Sequence, residues 1–229
     1  MIRILNYLIG KFLQFTSMLL LRCSKEMRLQ FNKIKTELIK ANNLDKDFPE
    51  VLLNGLIAIE DKRYFLHFGV DFYSIMRASI RNVTSKRIEG ASTITQQFVR
   101  NITGERKIRF KRKIKEMLFA SLIDYQFSKK EIISAYLNSY RFRNCVGVHE
   151  FCKLEQYNIN KLSVNETAQI AARFKYPSIN EINYLKYLKR VRFIECKIMQ
   201  RNYVSSNNLF KVVSESKDGN LFQRIIPEI

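Results

Sequence analysis

Tryptophan is absent from the 229 residues, and the chain holds only three prolines and seven glycines. A turn-rich all-β fold needs more of these residues than that, so helix is the favoured state. Histidine is scarce too, with two in the whole chain. The four cysteines, Cys23, Cys145, Cys152 and Cys196, form no C-x-x-C pair, which argues against a zinc site or a redox motif and supports no disulfide pairing. Internal repeats, low-complexity tracts and strand-period segments long enough for a sheet are all missing. Acidic residues are outnumbered, 21 against 40 basic ones, giving a formal net charge of +19. That excess implies attraction to nucleic acid, an acidic membrane surface or a phosphate-bearing substrate, and charge alone does not choose among them. What is present suffices for a core: 46% of residues are hydrophobic and 12% aromatic, a composition unlike that of disordered chains.

No long uninterrupted apolar run occurs either. Residues 2–21 are apolar apart from Arg3 and Lys11, with Asn6, Gln14, Thr16 and Ser17 interspersed. A bilayer span takes about 20 residues, and a lysine near its centre costs about 2.5–3.5 kcal/mol on insertion. Three readings stay open: a spanning anchor, a helix lying in the membrane interface, and a core helix. No small-x-small cleavage site follows the stretch. Arg22, Lys25 and Arg28 follow it and only Arg3 precedes it, so flanking charge leaves orientation undecided.

These signals divide the chain into a membrane anchor or interfacial helix (1–24), a linker helix (25–46), a compact domain (47–180) and a C-terminal helical or peripheral segment (181–229), of which the last thirty or so residues look peripheral. Asp47 and Glu50 have capping-box spacing, with Pro49 in the first turn, and open an apolar helix that ends near Glu60. Thr93 with Gln96, Ser128 with Glu131 and Ser163 with Glu166 predict three further helix starts. Residues 184–199 predict a basic helix.

Three segments carry chemistry. Glu60 and Asp61 directly follow the apolar helix, where a partly buried carboxylate is costly unless it is paired or has a task. Gly90-Ala91-Ser92-Thr93 turns into a helix bearing Gln96, Gln97, Arg100 and Asn101. Backbone N–H groups of such a helix start suit a phosphate, and the amides suit sugar hydroxyls or acetamido groups. The basic run 106–115 contains Arg112, Lys113 and, one turn on, Glu116, a face able to hold a pyrophosphate.

Together these segments resemble the motifs of glycosyltransferase family 51, the peptidoglycan transglycosylases. Glu60, Asp61, His67, Gly69 and Asp71 fit E-D-x-x-F-x-x-H-x-G-x-D, with Tyr64 in the aromatic place. Gly90, Ser92, Thr93, Ile94, Thr95, Gln96, Gln97, Arg100 and Asn101 fit G-G-S-T-I-T-Q-Q and the basic residue and Asn after it. Arg112, Lys113 and Glu116 fit R-K-x-x-E. The residues from Lys130 to Asn138, and those from Leu162 to Pro177, look like the two remaining motifs, so ordered matches cover about 53–178.

The resemblance implies a mainly α, lysozyme-like domain with head and jaw lobes, plus an N-terminal apolar helix. It implies a bacterial cytoplasmic-membrane enzyme, working on the outer face, that polymerises lipid II into a growing lipid-linked glycan and releases polyprenyl pyrophosphate. Glu60 would be the general base. Glu116 would assist at the leaving group or ligate a divalent cation, Mg or Mn. Asp61, His67, Ser92, Thr93, Gln96, Gln97, Arg100, Asn101, Arg112, Lys113 and Asn138 would bind substrate. Expected partners are lipid II, the membrane and other cell-wall synthesis proteins, not nucleic acid.

The chain departs from the pattern at Ala91, which replaces a glycine, at Arg143, which stands where the family usually has one, and at 147–152, where small alanines are usual. The altered loop around Arg143 motivates the alternative of a non-catalytic, lipid II-binding or scaffolding relative of the same family. Ser214 to Lys217 match S-x-x-K, but too little chain follows to build a transpeptidase.

Overall fold

The computed structural model describes residues 2–44, 47–84, 90–104 and 110–204. The basic run 106–109 and the S-x-x-K match lie outside the described residues. Within them the backbone is helical, and the nearest thing to a sheet is one bridge between Arg141 and Val146. The helices are α1 (Ile2–Cys23), α2 (Lys25–Asn42), α3 (Glu50–Glu60), α4 (Phe72–Thr84), α5 (Ile94–Thr103), α6 (Phe110–Gln126), α7 (Lys129–Ser139), α8 (Val148–Leu154), α9 (Val164–Arg173) and α10 (Glu181–Val204). The mainly α expectation is met.

All three distant capping boxes form, at Thr93, Ser128 and Ser163. In each, the hydroxyl accepts from the backbone N–H three residues on, and that residue's side chain accepts from the cap's own N–H. The fourth does not form. α3 starts at Glu50 on Pro49, which makes no side-chain cap bond, so Asp47 has no capping role and Glu50 contributes only a negative charge to the first turn. α3 ends at Glu60 as expected.

Among the described residues, two hydrophobic clusters form the core. The larger joins the inner faces of α2, α3, α5, α6, α7 and α8. The smaller sets Tyr187, Val191, Ile194 and Ile198 of α10 against Ala168, Ala171 and Ala172 of α9, and Val51 and Ile59 of α3 pack onto it. α3 is therefore shared by both.

The domain consequently extends at both ends beyond 47–180. α2, expected to be a linker, buries Phe31, Ile34, Leu38 and Ala41 in the main core, a helical repeat that its many charges obscure in the sequence. The helix expected over 184–199 runs from 181 to 204 and packs on α9 and α3; the residues after 204 lie outside the described residues.

α1 packs the opposite way round. Its buried side chains are polar: Asn6 accepts from the Phe72 N–H at 3.1 Å, Gln14 donates to the Ser121 carbonyl at 3.4 Å, and the Ser17 and Ser121 hydroxyls lie 3.0 Å apart. Leu8, Phe12, Phe15 and Leu19 face outward instead. No helix among the described residues is long and apolar enough to cross a membrane.

The departures from the motif pattern cost no backbone strain. Ala91 and Arg143 both avoid positive φ, and Arg143 is exposed. Gly147 takes the left-handed turn nearby, with φ 84°. Phe142 stacks on Phe151 with ring centroids 4.5 Å apart and meets Phe174 at 5.7 Å, so aromatic rings fill the space around 147–152.

Candidate active site

The last turn of α3 presents Glu60 at the edge of the core. Its side chain is 16% exposed and lines a cleft of about 350 Å³ with Lys62, Arg63, Arg77, Ser92 and Thr93. One carboxylate oxygen accepts from Arg190 Nη2 of α10 at 3.0 Å, and the other from Gln97 Nε2 of α5 at 3.2 Å. Gln97 is oriented in turn, because the Tyr136 hydroxyl donates to its Oε1 at 2.8 Å. Burial, and secondly the nearby charge of Glu60, push the Tyr136 phenol well above its ordinary range, which keeps it a donor.

One turn beyond Gln97, Arg100 reaches the second carboxylate. Glu116 is 2% exposed and meets Arg112 Nη1 at 3.3 Å, Lys113 Nζ at 3.7 Å and Arg100 Nη1 at 3.9 Å. Three cations thus surround one anion. Lys113 also donates to the Ser92 hydroxyl at 2.8 Å. Burial pushes its ammonium below the usual range; Glu116 counters that, while Arg100 and Arg112 add to it. A group so placed gains from an arriving anion, since each added negative charge offsets both burial and crowding.

The two carboxylates belong to one region. α5 carries Gln97 on Glu60 and, about 4.5 Å further along its axis, Arg100 on Glu116. Ser92 lines the Glu60 cleft and holds Lys113.

Other expected binding residues make hydrogen bonds within the protein, although Asp61 and Thr93 also line the Glu60 cleft. Asp61 is buried, with both oxygens 3.0 Å from Nε2 of buried His67, and it accepts the Ile94 N–H at 3.0 Å. Thr93 donates to the Gly69 carbonyl at 2.6 Å, and fully buried Gln96 completes the capping box. Asn138 donates to the Ala41 carbonyl at 3.1 Å, tying α7 to α2. These contacts hold the site's walls together. They also correct one expectation: the N–H groups of Ile94 and Gln96 at the start of α5 already have protein acceptors, so that helix start offers a phosphate less than its sequence suggests. Asn101 keeps a buried amide nitrogen without a partner.

The donor set suits a divalent cation poorly. Among the described residues no three His, Cys, Asp or Glu side chains gather, and Glu116 is already ringed by positive charge. Mg²⁺ normally takes one or two carboxylates with substrate phosphates completing its shell, so these residues alone would not retain it.

Residues 28–202 match the family model described as Transglycosylase. The chain belongs to the transglycosylase family. Penicillin-binding protein 1A of Clostridium tetani is 33% identical over 181 residues, which is 72% of this chain and 23% of that one. Penicillin-binding protein 1A of Rickettsia bellii is 36% identical over 168 residues, 69% of this chain and 21% of its own. A monofunctional glycosyltransferase of Staphylococcus epidermidis is 28% identical over 192 residues, 79% of this chain and 70% of the relative. The chain therefore spans less than a quarter of those penicillin-binding proteins but most of the monofunctional glycosyltransferase. The family match starts inside α2 and ends inside α10, in keeping with the packing of both helices.

Arg190 is the site residue that sequence reasoning missed. It sits on a helix that also bears Lys186, Lys189, Arg192 and Lys197, and nothing in their local spacing marks which cation reaches Glu60.

Proposed function

We propose that this transglycosylase is a peptidoglycan glycosyltransferase that polymerises lipid II, with Glu60 as general base. One observation carries the reading: a partly exposed carboxylate at a cleft and an excess of cations around a second carboxylate are joined through neighbouring turns of α5.

In the proposed reaction, Glu60 takes the proton of the acceptor sugar's 4-hydroxyl as that oxygen bonds to the anomeric carbon of the donor. The bond from that carbon to the pyrophosphate oxygen breaks, and its electron pair leaves with the polyprenyl pyrophosphate. Arg100, Arg112 and Lys113 offset the negative charge that develops there. Glu116 holds those three cations in place on the leaving-group side, and no step is assigned to a metal ion.

A site at the membrane surface accords with α1, whose apolar side faces outward and whose neighbouring Lys11, Arg22, Lys25 and Arg28 suit anionic lipid headgroups. Docking in the interface rather than spanning fits its buried polar residues. Placement on the outer face of the cytoplasmic membrane follows from where lipid II is polymerised.

The test is polymerisation of purified lipid II by wild type and Glu60→Gln. Wild type should form glycan, and the variant should be slower by about 10² to 10⁴-fold with an unchanged circular dichroism spectrum. Wild-type rates in Glu60→Gln would remove that residue from its role. Lipid II binding without polymer, by a well-folded wild type, would favour the non-catalytic alternative.

A further inference from the structure

Glu60 has donors on both carboxylate oxygens, and they come from distant parts of the chain: Gln97 lies 37 positions away and Arg190 lies 130. Two fixed donors on different oxygens set the plane of a carboxylate, and with it the direction of the lone pairs left for a substrate proton. The Gln97 side is already braced by Tyr136.

The Arg190 side depends on how closely α10 approaches. The stripe Tyr187, Val191, Ile194 and Ile198 recurs at helical spacing and packs on alanines of α9. On α3, Gly55 leaves room for α10: a Cβ there would stand 3.0 Å from Ile198 Cδ1 and 3.1 Å from Thr167 Cγ2. Small residues on two helices thus let a third settle deep enough for an arginine at the border of its apolar stripe to reach the end of α3. The stem of Arg190 passes Phe193, its guanidinium carbon 5.8 Å from the ring centroid, and its Nε is buried without a partner.

From this geometry we infer that Arg190 is a positioning residue for Glu60, and that α10 is part of the catalytic apparatus rather than an outer support. The inference rests on Glu60 acting as the base. Arg190 holds Oε1 so that the carboxylate stays turned to the cleft. Substrate affinity does not depend on it.

The experiment compares lipid II polymerisation by the full chain with Arg190→Met, Arg190→Lys and Glu60→Gln, reading kcat, KM and thermal melting. Arg190→Met keeps the stem beside Phe193 and deletes only the donors. It should lower kcat by about 10²-fold, the scale of a small misplacement of a reacting group, with KM within about twofold of wild type and an unchanged melting temperature. Arg190→Lys keeps the charge and should recover part of that loss. A kcat for Arg190→Met near wild type, with Glu60→Gln inactive, overturns the inference and leaves the base assignment standing. Equal loss in Arg190→Met and Arg190→Lys accompanied by a lowered melting temperature also overturns it, since that pattern belongs to packing. Full activity in Glu60→Gln sinks the base assignment itself.

Discussion

Gly69 and Asp71 show how single residues of the first motif support the fold around the cleft. Gly69 has φ 75°, and a Cβ on it would stand 2.2 Å from the Ala120 carbonyl oxygen of α6. Gly69→Ala is expected to cost about 1–2 kcal/mol from the left-handed backbone alone, with the clash in addition. A thermal melt should fall by at least about 2 °C; an unchanged melt would mean the backbone relaxes freely there. Burial alone would raise the Asp71 carboxyl, but hydrogen bonds from Arg63 and Ser74 outweigh it and hold the group below the usual range. The unfolded chain then takes up that proton first, so the Arg63 contact stabilises the protein above roughly pH 4 and is lost as pH falls through the folded value. Asp71→Asn should lower the urea midpoint at pH 7, and its difference from wild type should shrink in acid. A difference independent of pH would show that charge is not what this carboxylate contributes. The motif spacing reveals that these residues belong together, yet it does not show which of them, like Asp61 and His67, pair with each other. That pairing depends on which side of a turn is buried, a property of the packed molecule.

Among the helices, α5 and α1 are the informative extremes. The start of α5 was legible because Thr93 and Gln96 cap it by purely local bonds, and the same holds for Ser128 with Glu131 and Ser163 with Glu166. Asp47 and Glu50 have the same spacing and no cap, because Pro49 at the junction shifts the helix start past the reach of Asp47. α1 was ambiguous in sequence for a physical reason: its apolar residues dominate any hydropathy profile, but Asn6, Gln14 and Ser17 find hydrogen-bond partners on the domain while Phe12 and Phe15 are 68% and 66% exposed. If that outward stripe enters a lipid surface, Phe12→Ser with Phe15→Ser should weaken sedimentation with vesicles of anionic phospholipid by at least about tenfold, given about 1.5–3 kcal/mol for each fully buried ring. The fold should survive, since neither ring supports the core. Equal binding by wild type and the double variant would assign the stripe another role.

At the scale of the whole molecule, the described residues form two clusters that share α3, and this explains why the fold class was easier to read than its limits. Helical periodicity and capping are local, so a mainly α chain declared itself. The membership of α2 and α10 was hidden because charged residues dominate both, and their buried stripes gain meaning only from partners far along the chain, α7 for one and α9 for the other. The basic excess likewise resolved into separate tasks once folded: Arg63 braces Asp71, Arg190 meets Glu60, and Arg100, Arg112 and Lys113 crowd Glu116.

The small alanines of α9 carry one practical consequence. A fragment ended after the last motif, at residue 180, would strip the cover from Ala168, Ala171 and Ala172 and leave a flat oily facet beside the end of α3. Such a piece would keep every signature by which the chain is recognised, yet come off the expression column sticky and with its key carboxylate missing one of two neighbours.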